Sequence, residues 1–172
     1  ELIKKNPDSK FTEESCFLIG KIQYLISDNN NSRNSLLDFL KDYPNSQYRE
    51  ETIYIIAQID LEEQQWMDSI IYFEKLIDEF PDSRYLPGSL YGLCLSYYKK
   101  EEYNKALTTG ERYLNSFPSG SFKCDVLYVT AICQEELGNI QEATEKYQKI
   151  ISNCPDSVYV DSVRSHLEFI EP

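Results

Sequence analysis

FPDSRY, residues 80–85, sets a proline after an aromatic residue and follows it with an acid, a serine and a second aromatic. Close copies stand at YPNSQY (43–48), FPSGSF (117–122) and CPDSVY (154–159), and NPDSKF (6–11) opens the series. The prolines are Pro7, Pro44, Pro81, Pro118 and Pro155, each 37 residues after the one before. A fixed period of this length marks a stacked-repeat architecture, in which each unit buries its apolar face against its neighbours.

Counting each unit from its proline as position zero, the apolar positions recur in register. Position 4 is Phe11, Tyr48, Tyr85, Phe122 and Tyr159; position 9 is Cys16, Ile53, Leu90 and Leu127. Position 12 is Ile19, Ile56 and Leu93, with Thr130 the exception, and position 13 is always small: Gly20, Ala57, Cys94, Ala131. Steps of three to five residues suit one face of a helix, and the small position marks where a neighbouring helix comes closest. A second amphipathic series follows at position 25 (Ser32, Ser69, Ala106, Ala143), position 29 (Leu36, Phe73, Gly110, Tyr147) and position 33 (Leu40, Ile77, Leu114, Ile151). Polar stretches between the two series, SDNNNS (27–32), EEQQ (62–65), KKEE (99–102) and LGN (137–139), read as turns joining antiparallel helices.

The phrase that repeats is therefore punctuation. Proline lacks an N–H and its ring clashes with the preceding turn, so it stops each second helix at the same place. Ser9, Ser46, Ser83 and Ser157 then stand where an N-cap is wanted, and Glu13, Glu50, Glu51, Asp125 and Asp161 fall in the following first turn, where the helix dipole favours negative charge. Gly120 takes the serine's place in one unit. Leu2 and Ile3 fall in register with Phe39 and Leu40, Leu76 and Ile77, and Ile150 and Ile151, which predicts the tail of a preceding second helix over 1–6. Repeats span 7–43, 44–80, 81–117 and 118–154, and 155–172 supplies a terminal first helix whose Glu168 is too large and charged for close helix approach, as suits a cap. The expected fold is all-α: four antiparallel helix pairs plus a C-terminal capping helix in a single right-handed solenoid. The array reads as a fragment of a longer chain, and its N-terminal end as a plausible homodimer contact.

The net charge is −12, from 17 Lys plus Arg against 29 Asp plus Glu, which repels phosphate backbones and anionic headgroups and argues against nucleic acid and bare membrane as partners. No apolar run approaches the roughly 20 residues that span a bilayer. Cys16, Cys94, Cys124, Cys133 and Cys154 form no C-x-x-C motif and read as free thiols. Cys94 and Cys16 are expected buried and inert; Cys124 and Cys154 come to the same end of one helix pair but are expected unbridged, more than about 7 Å apart at Cα. His166 is the only histidine and is expected on the surface. With no Gly-rich phosphate loop, H-E-x-x-H or calcium-loop pattern, the reading assigns no catalytic, cofactor or metal residues.

These columns resemble the tetratricopeptide repeat. The best unit carries its pattern as Leu90, Leu93–Cys94, Tyr103, Ala106 and Pro118, and the next as Leu127, Ala131, Gly138, Ile140, Ala143, Tyr147 and Pro155. The three residues beyond the standard 34 fall after the proline, a variant similar to the repeats of bacterial envelope proteins: the C-terminal domain of CpoB (YbgF) and, less closely, the outer-membrane-assembly lipoprotein BamD. The resemblance implies that the first helices line a concave surface. On it, position 10 (Phe17, Tyr54, Tyr91, Tyr128) would form an aromatic stripe, flanked by Gln58, Leu95 and Ile132 at position 14 and Tyr24 and Tyr98 at position 17. The rings either pack helix on helix or form a binding groove, for which tyrosine is suited by large contact area at low entropy cost.

The function expected is a non-catalytic protein–protein interaction scaffold, binding a protein or peptide in cell-envelope assembly or division. Its expected location is the periplasm or the periplasmic face of the outer membrane, with the cytoplasm as the alternative. A second reading makes the chain the solenoid arm of a peptidoglycan-processing enzyme whose catalytic domain lies outside it.

Overall fold

A computed structural model describes residues 10–170; Leu2, Ile3, Pro7 and Ser9 lie outside the described residues. Every regular element in them is an α-helix and none is a strand. Two compact units meet in the chain between Tyr85 and Leu86. The first holds α1 (Lys10–Leu25), α2 (Asn29–Asp42), α3 (Arg49–Glu62) and α4 (Trp66–Glu79). The second holds α5 (Leu86–Lys99), α6 (Tyr103–Ser116), α7 (Lys123–Glu136), α8 (Ile140–Asn153) and α9 (Val160–Ile170). Within each unit every helix packs on the next, and first helices also meet across a pair: α1 with α3, and α5 with α7. These are the helix pairs that the 37-residue period predicts.

The apolar columns build the cores. In the first unit Phe17, Leu36, Phe39, Ile55, Ile56 and Ile59 form one buried cluster. In the second, Leu127, Tyr147 and Ile150 join Val160, Val163 and Leu167 of α9, which closes over α8 while its outer face keeps Glu168 exposed. Full burial of one such side chain stabilises by about 1.5–3 kcal/mol, against about 0.5–1.5 kcal/mol net for a typical hydrogen bond between neutral groups. Two exceptions to the columns compensate each other: where position 29 is Gly110, the Thr130 methyl of α7 fills the gap, so closely that an added Cβ at 110 would overlap it. Thr130 keeps its hydroxyl satisfied by donating to the Val126 carbonyl at 2.8 Å.

The helices stop where the prolines predict, with Tyr43, Phe80, Phe117 and Cys154 as C-caps immediately before Pro44, Pro81, Pro118 and Pro155. The inner turns share a device that no column revealed. Ser27, Gln64, Glu101 and Gly138, all at position 20, adopt positive φ of 61°, 59°, 60° and 79°. The next residue's N–H then reaches back five residues to the helix, as in Asp28 to the Gln23 carbonyl (2.8 Å) and Gln65 to the Asp60 carbonyl (2.7 Å). This satisfies carbonyls that a helix end leaves open.

Three expectations are corrected. Ser46 is not an N-cap: α3 has Tyr48 at that position, with no side-chain cap bond. The serine acts two residues earlier, its Oγ accepting from the backbone N–H of the aromatic residue, Ser46 from Tyr48 at 3.0 Å and Ser83 from Tyr85 at 2.8 Å. Each also donates to the preceding first helix, Ser46 to Glu13 and Ser83 to Glu50. And Cys124 and Cys154 are bridged, with Cα atoms 6.1 Å apart. Cys154 is the C-cap of α8 and Cys124 the second residue of α7, so the antiparallel pair brings its two outer ends within bridging reach. Of the free cysteines, Cys94 and Cys133 are buried and Cys16 only half-buried. Burial pushes the Cys94 and Cys133 thiols up, Cys133 to about 12, which leaves both inert.

Candidate interaction surface

Position 10 meets position 4 of the following repeat at four places, always as parallel rings. In the first unit Phe17 stacks on Tyr48 and Tyr54 on Tyr85, both with centroids 4.6 Å apart. In the second Tyr91 stacks on Phe122 at 4.8 Å and Tyr128 on Tyr159 at 4.1 Å. The pairing follows from the repeat: position 4 opens each first helix, and the preceding first helix presents position 10 beside it. Such pairs contribute about 0.5–1.5 kcal/mol beyond their buried area. Part of the stripe is thus packing.

The rings differ in what they leave open. Phe17 is 2% exposed and belongs to the core, with Phe39 on its other side. Lys21, at position 14 of the first repeat, lies 5.6 Å from its ring centre and pairs with Glu51 at 2.7 Å, so its charge is engaged inside the unit. Tyr54 and Gln58 are half-buried and hydrogen-bonded to each other, and burial pushes Tyr54 up. Tyr24 donates to Glu62 at 2.9 Å; burial, then this bond, pushes it up. In the second unit Tyr91, Leu95, Tyr98, Tyr128 and Ile132 are all half-buried. Lys99 lies 5.1 Å from the Tyr98 ring centre, and burial pushes Tyr91 and Tyr98 up.

Tyr128 and Ile132 open onto a cleft of about 330 Å³ with Glu135, Glu136, Tyr147, Ser162, Val163 and His166. Glu135 accepts from the Tyr147 hydroxyl at 2.9 Å and bonds His166 Nε2 at 2.8 Å. His166, expected as a surface residue, is half-buried and sits edge-on to Tyr147 at 5.4 Å, tying α9 to α7 and α8. Sequence spacing missed this cluster because its members come from three different columns. It also missed Asp60, fully buried yet met by Arg33, whose Nε donates at 2.5 Å and whose guanidinium also reaches Asp68 at 3.1 Å. Burial pushes the Asp60 carboxyl up while Arg33 pulls it down. Neither cluster joins a nucleophile to a base, and among the described residues no group of three or more His, Cys, Asp or Glu could hold a metal. No described helix is long and apolar enough to cross a membrane.

The family model described as YfiO, outer membrane lipoprotein, matches residues 49–172, more than two-thirds of the chain. No curated protein matches the chain in sequence. Among solved structures, a tetratricopeptide repeat protein from Parabacteroides merdae superposes with a TM-score of 0.77 at 18% identity, over 98% of this chain and 62% of that one. The present chain thus spans about three-fifths of that protein's length. The protein MamA gives 0.66 at 20% identity, over 87% of this chain and 79% of its own, and a second MamA structure, AMB-1, gives 0.74 at 15%, over 94% and 85%. At these identities the likeness establishes the fold, which is that of a tetratricopeptide repeat protein. Of the two envelope proteins whose repeats this one resembles, the family match favours the BamD-type lipoprotein, and nothing found favours CpoB.

Proposed function

Because the chain belongs to the YfiO family of outer membrane lipoproteins, we propose that it is a non-catalytic protein–protein interaction scaffold of the bacterial cell envelope, working in assembly or division at the periplasmic face of the outer membrane. The partner is a protein or peptide held on the inner face that the first helices present. The observation that carries this reading is the state of the second unit's tyrosines and their neighbours. Tyr91, Tyr98 and Tyr128 are held by packing on one side yet none is fully buried, and Leu95 and Ile132 lie half-open between them. Rings fixed in this way offer contact area without further loss of side-chain freedom. The Cys124–Cys154 disulfide supports an oxidising compartment such as the periplasm. The net charge of −12 suits a partner segment with basic residues beside its apolar anchors.

A photo-crosslinking residue at Leu95 or Ile132 is expected to capture a partner in intact cells, whereas the same residue at Arg112 or Glu145, exposed on α6 and α8, captures none. Tyr91→Ala is then expected to weaken that partner by about 1–2 kcal/mol, roughly tenfold, as loss of an interface aromatic does. Since the ring also stacks on Phe122, affinity is measured per folded molecule. Capture from the α6 and α8 positions alone, or unchanged affinity of Tyr91→Ala, overturns the inner-face assignment.

A further inference from the structure

We propose that the cleft where the start of α7 meets the ends of α6 and α8 is a binding site for a single phosphate group. The cleft holds about 250 Å³ and is lined on its apolar side by Leu114 of α6 and Leu127 of α7. Lys123, the first residue of α7, and Lys146 and Lys149 of α8 bring three cations to it. Glu111 is the one acid among its described lining residues, and it pairs with Lys146, whose side chain is only 11% exposed. Lys123 and Lys149 have no ion-pair partner among the described residues. Three cations against one carboxylate leave two positive charges uncompensated, in a chain whose net charge is −12. A phosphate monoester, with a charge of about −1.5 to −2 at pH 7, restores neutrality.

The repeat register shows independently that a counter-charge is missing here. In the repeat at 44–80, position 5 is Arg49 and position 35 is Glu79, and the two pair at 2.6 Å. In the repeat at 118–154 the same positions are Lys123 and Asn153, so an amide lines the cleft where the earlier repeat has a carboxylate. An amide offers an anion N–H donors; a carboxylate repels it. The choice of cation points the same way. Ammonium groups are point charges with rotatable donors, and those arriving from two helices can each take a different oxygen of a tetrahedral group. Planar carboxylates are met in this chain by the arginine fork, as Arg33 meets Asp60 through Nε and a terminal nitrogen. The site shares no residue with the inner-face surface and does not rest on that reading. Its phosphate is carried by a soluble ester or by a lipid headgroup, which the test separates.

The first probe is glycerol 3-phosphate, followed by amide NMR shifts, which are expected to move first at Lys123, Leu127 and Lys149. Asn153→Glu, which restores the acid of the earlier repeat, is expected to weaken binding at least about tenfold, and Lys123→Gln at least about fivefold. Lys100→Gln removes the same charge from the exposed turn after α5 and is expected to change binding less than about twofold, because a solvated charge outside the cleft is screened. Should Asn153→Glu fail to fold, Lys149→Gln, at an exposed position on α8, reads the same loss. The second probe is vesicles of phosphatidylcholine with and without phosphatidic acid. Binding of glycerol 3-phosphate that Asn153→Glu removes supports the site with a soluble ester as carrier; sedimentation with the phosphatidic acid vesicles alone, lost in the same variant, supports it with a lipid headgroup. Binding of neither probe, or equal weakening by Lys100→Gln and Lys123→Gln, overturns the proposal. Tighter binding of hexaglutamate than of either phosphate also overturns it, in favour of an acidic peptide.

Discussion

In the repeat at 44–80, the loop ahead of α3 is tied by Ser46, which accepts from the Tyr48 N–H and donates to Glu13 of α1. In the repeat at 118–154 the same loop position is Gly120, and the Phe122 N–H donates instead to the Tyr113 hydroxyl of α6 at 2.9 Å. Tyr113 occupies a position that is Phe39, Leu76 or Ile150 in the other repeats, and it is fully buried. A Cβ at residue 120 would overlap the tyrosine hydroxyl, so the glycine makes room for the group that replaces its missing side chain. The later repeat is also stapled by Cys124–Cys154, while the earlier one is bound to its neighbour by Arg33 on Asp60 and Asp68. The same backbone and the same aromatic stack are thus held by different polar devices. What the repeat fixes is the register of apolar positions; which groups satisfy the loop's backbone is free to change, provided some group does.

The largest expected effect comes from removing the staple. Closing a loop with a sequence separation of 30 residues stabilises by about 3–4 kcal/mol on chain-entropy grounds. Reduction, or Cys124→Ser with Cys154→Ser, is expected to lower the stability of the second unit by that order and leave the first unit untouched. Hydrogen exchange read helix by helix distinguishes the two; equal loss of protection in α3 and α7 would show that the staple is not local to its repeat.

Next in size is the loop itself. Gly120→Ser forces a side chain against a buried ring and is expected to cost about 2–3 kcal/mol. Tyr113→Phe strips the Phe122 N–H of its acceptor and is expected to cost about 1–2 kcal/mol. Together they rebuild the serine loop of 43–48, so the double variant is expected to be more stable than Gly120→Ser alone, with a coupling of about 1 kcal/mol or more. Strict additivity would mean that the hydroxyl and the serine are not equivalent. In the serine loop at 80–85, Ser83→Ala loses one bond to Tyr85 and one to Glu50 and is expected to cost about 1–2 kcal/mol.

The difference between these loops also marks what could be read from the sequence. The period, the helix pairs, the breaks at Pro44, Pro81, Pro118 and Pro155 and the buried columns were legible because each rests on one residue type recurring at one spacing. The exceptions were not, because they come in compensating pairs from different positions. Gly110 is explained by Thr130, and Gly120 by Tyr113. The bridge was missed for a related reason: spacing brings Cys124 and Cys154 to one end of the unit but does not give the separation of their Cα atoms. For the inner face, the sequence gives the rings of the stripe but not their environments. It cannot separate Phe17, closed between Phe39 and Tyr48, from Tyr128, open to a cleft, since the two share a column.

The smallest effect isolates the backbone. Gln64 and Gly138 hold the same left-handed position in the inner turns of the two repeats, at φ of 59° and 79°. A side chain there crowds its own carbonyl, while glycine does not, but glycine loses more conformational freedom on folding. A Cβ at 138 would meet nothing within 4 Å, so packing does not enter and only the dihedral decides. Left-handed backbone costs an L-residue about 1–2 kcal/mol, against roughly 0.4–1 kcal/mol for glycine's extra unfolded freedom, so the steric side wins. Gln64→Gly is therefore expected to stabilise by about 0.5–1 kcal/mol and Gly138→Gln to destabilise by as much, measured by denaturant midpoint. Opposite signs of similar size would show that the two turns differ in residue and not in geometry. A loss of stability in Gln64→Gly would instead mean that the Gln64 side chain contributes more to its turn than the left-handed backbone costs, and the earlier repeat would then rely on a side chain where the later one relies on none.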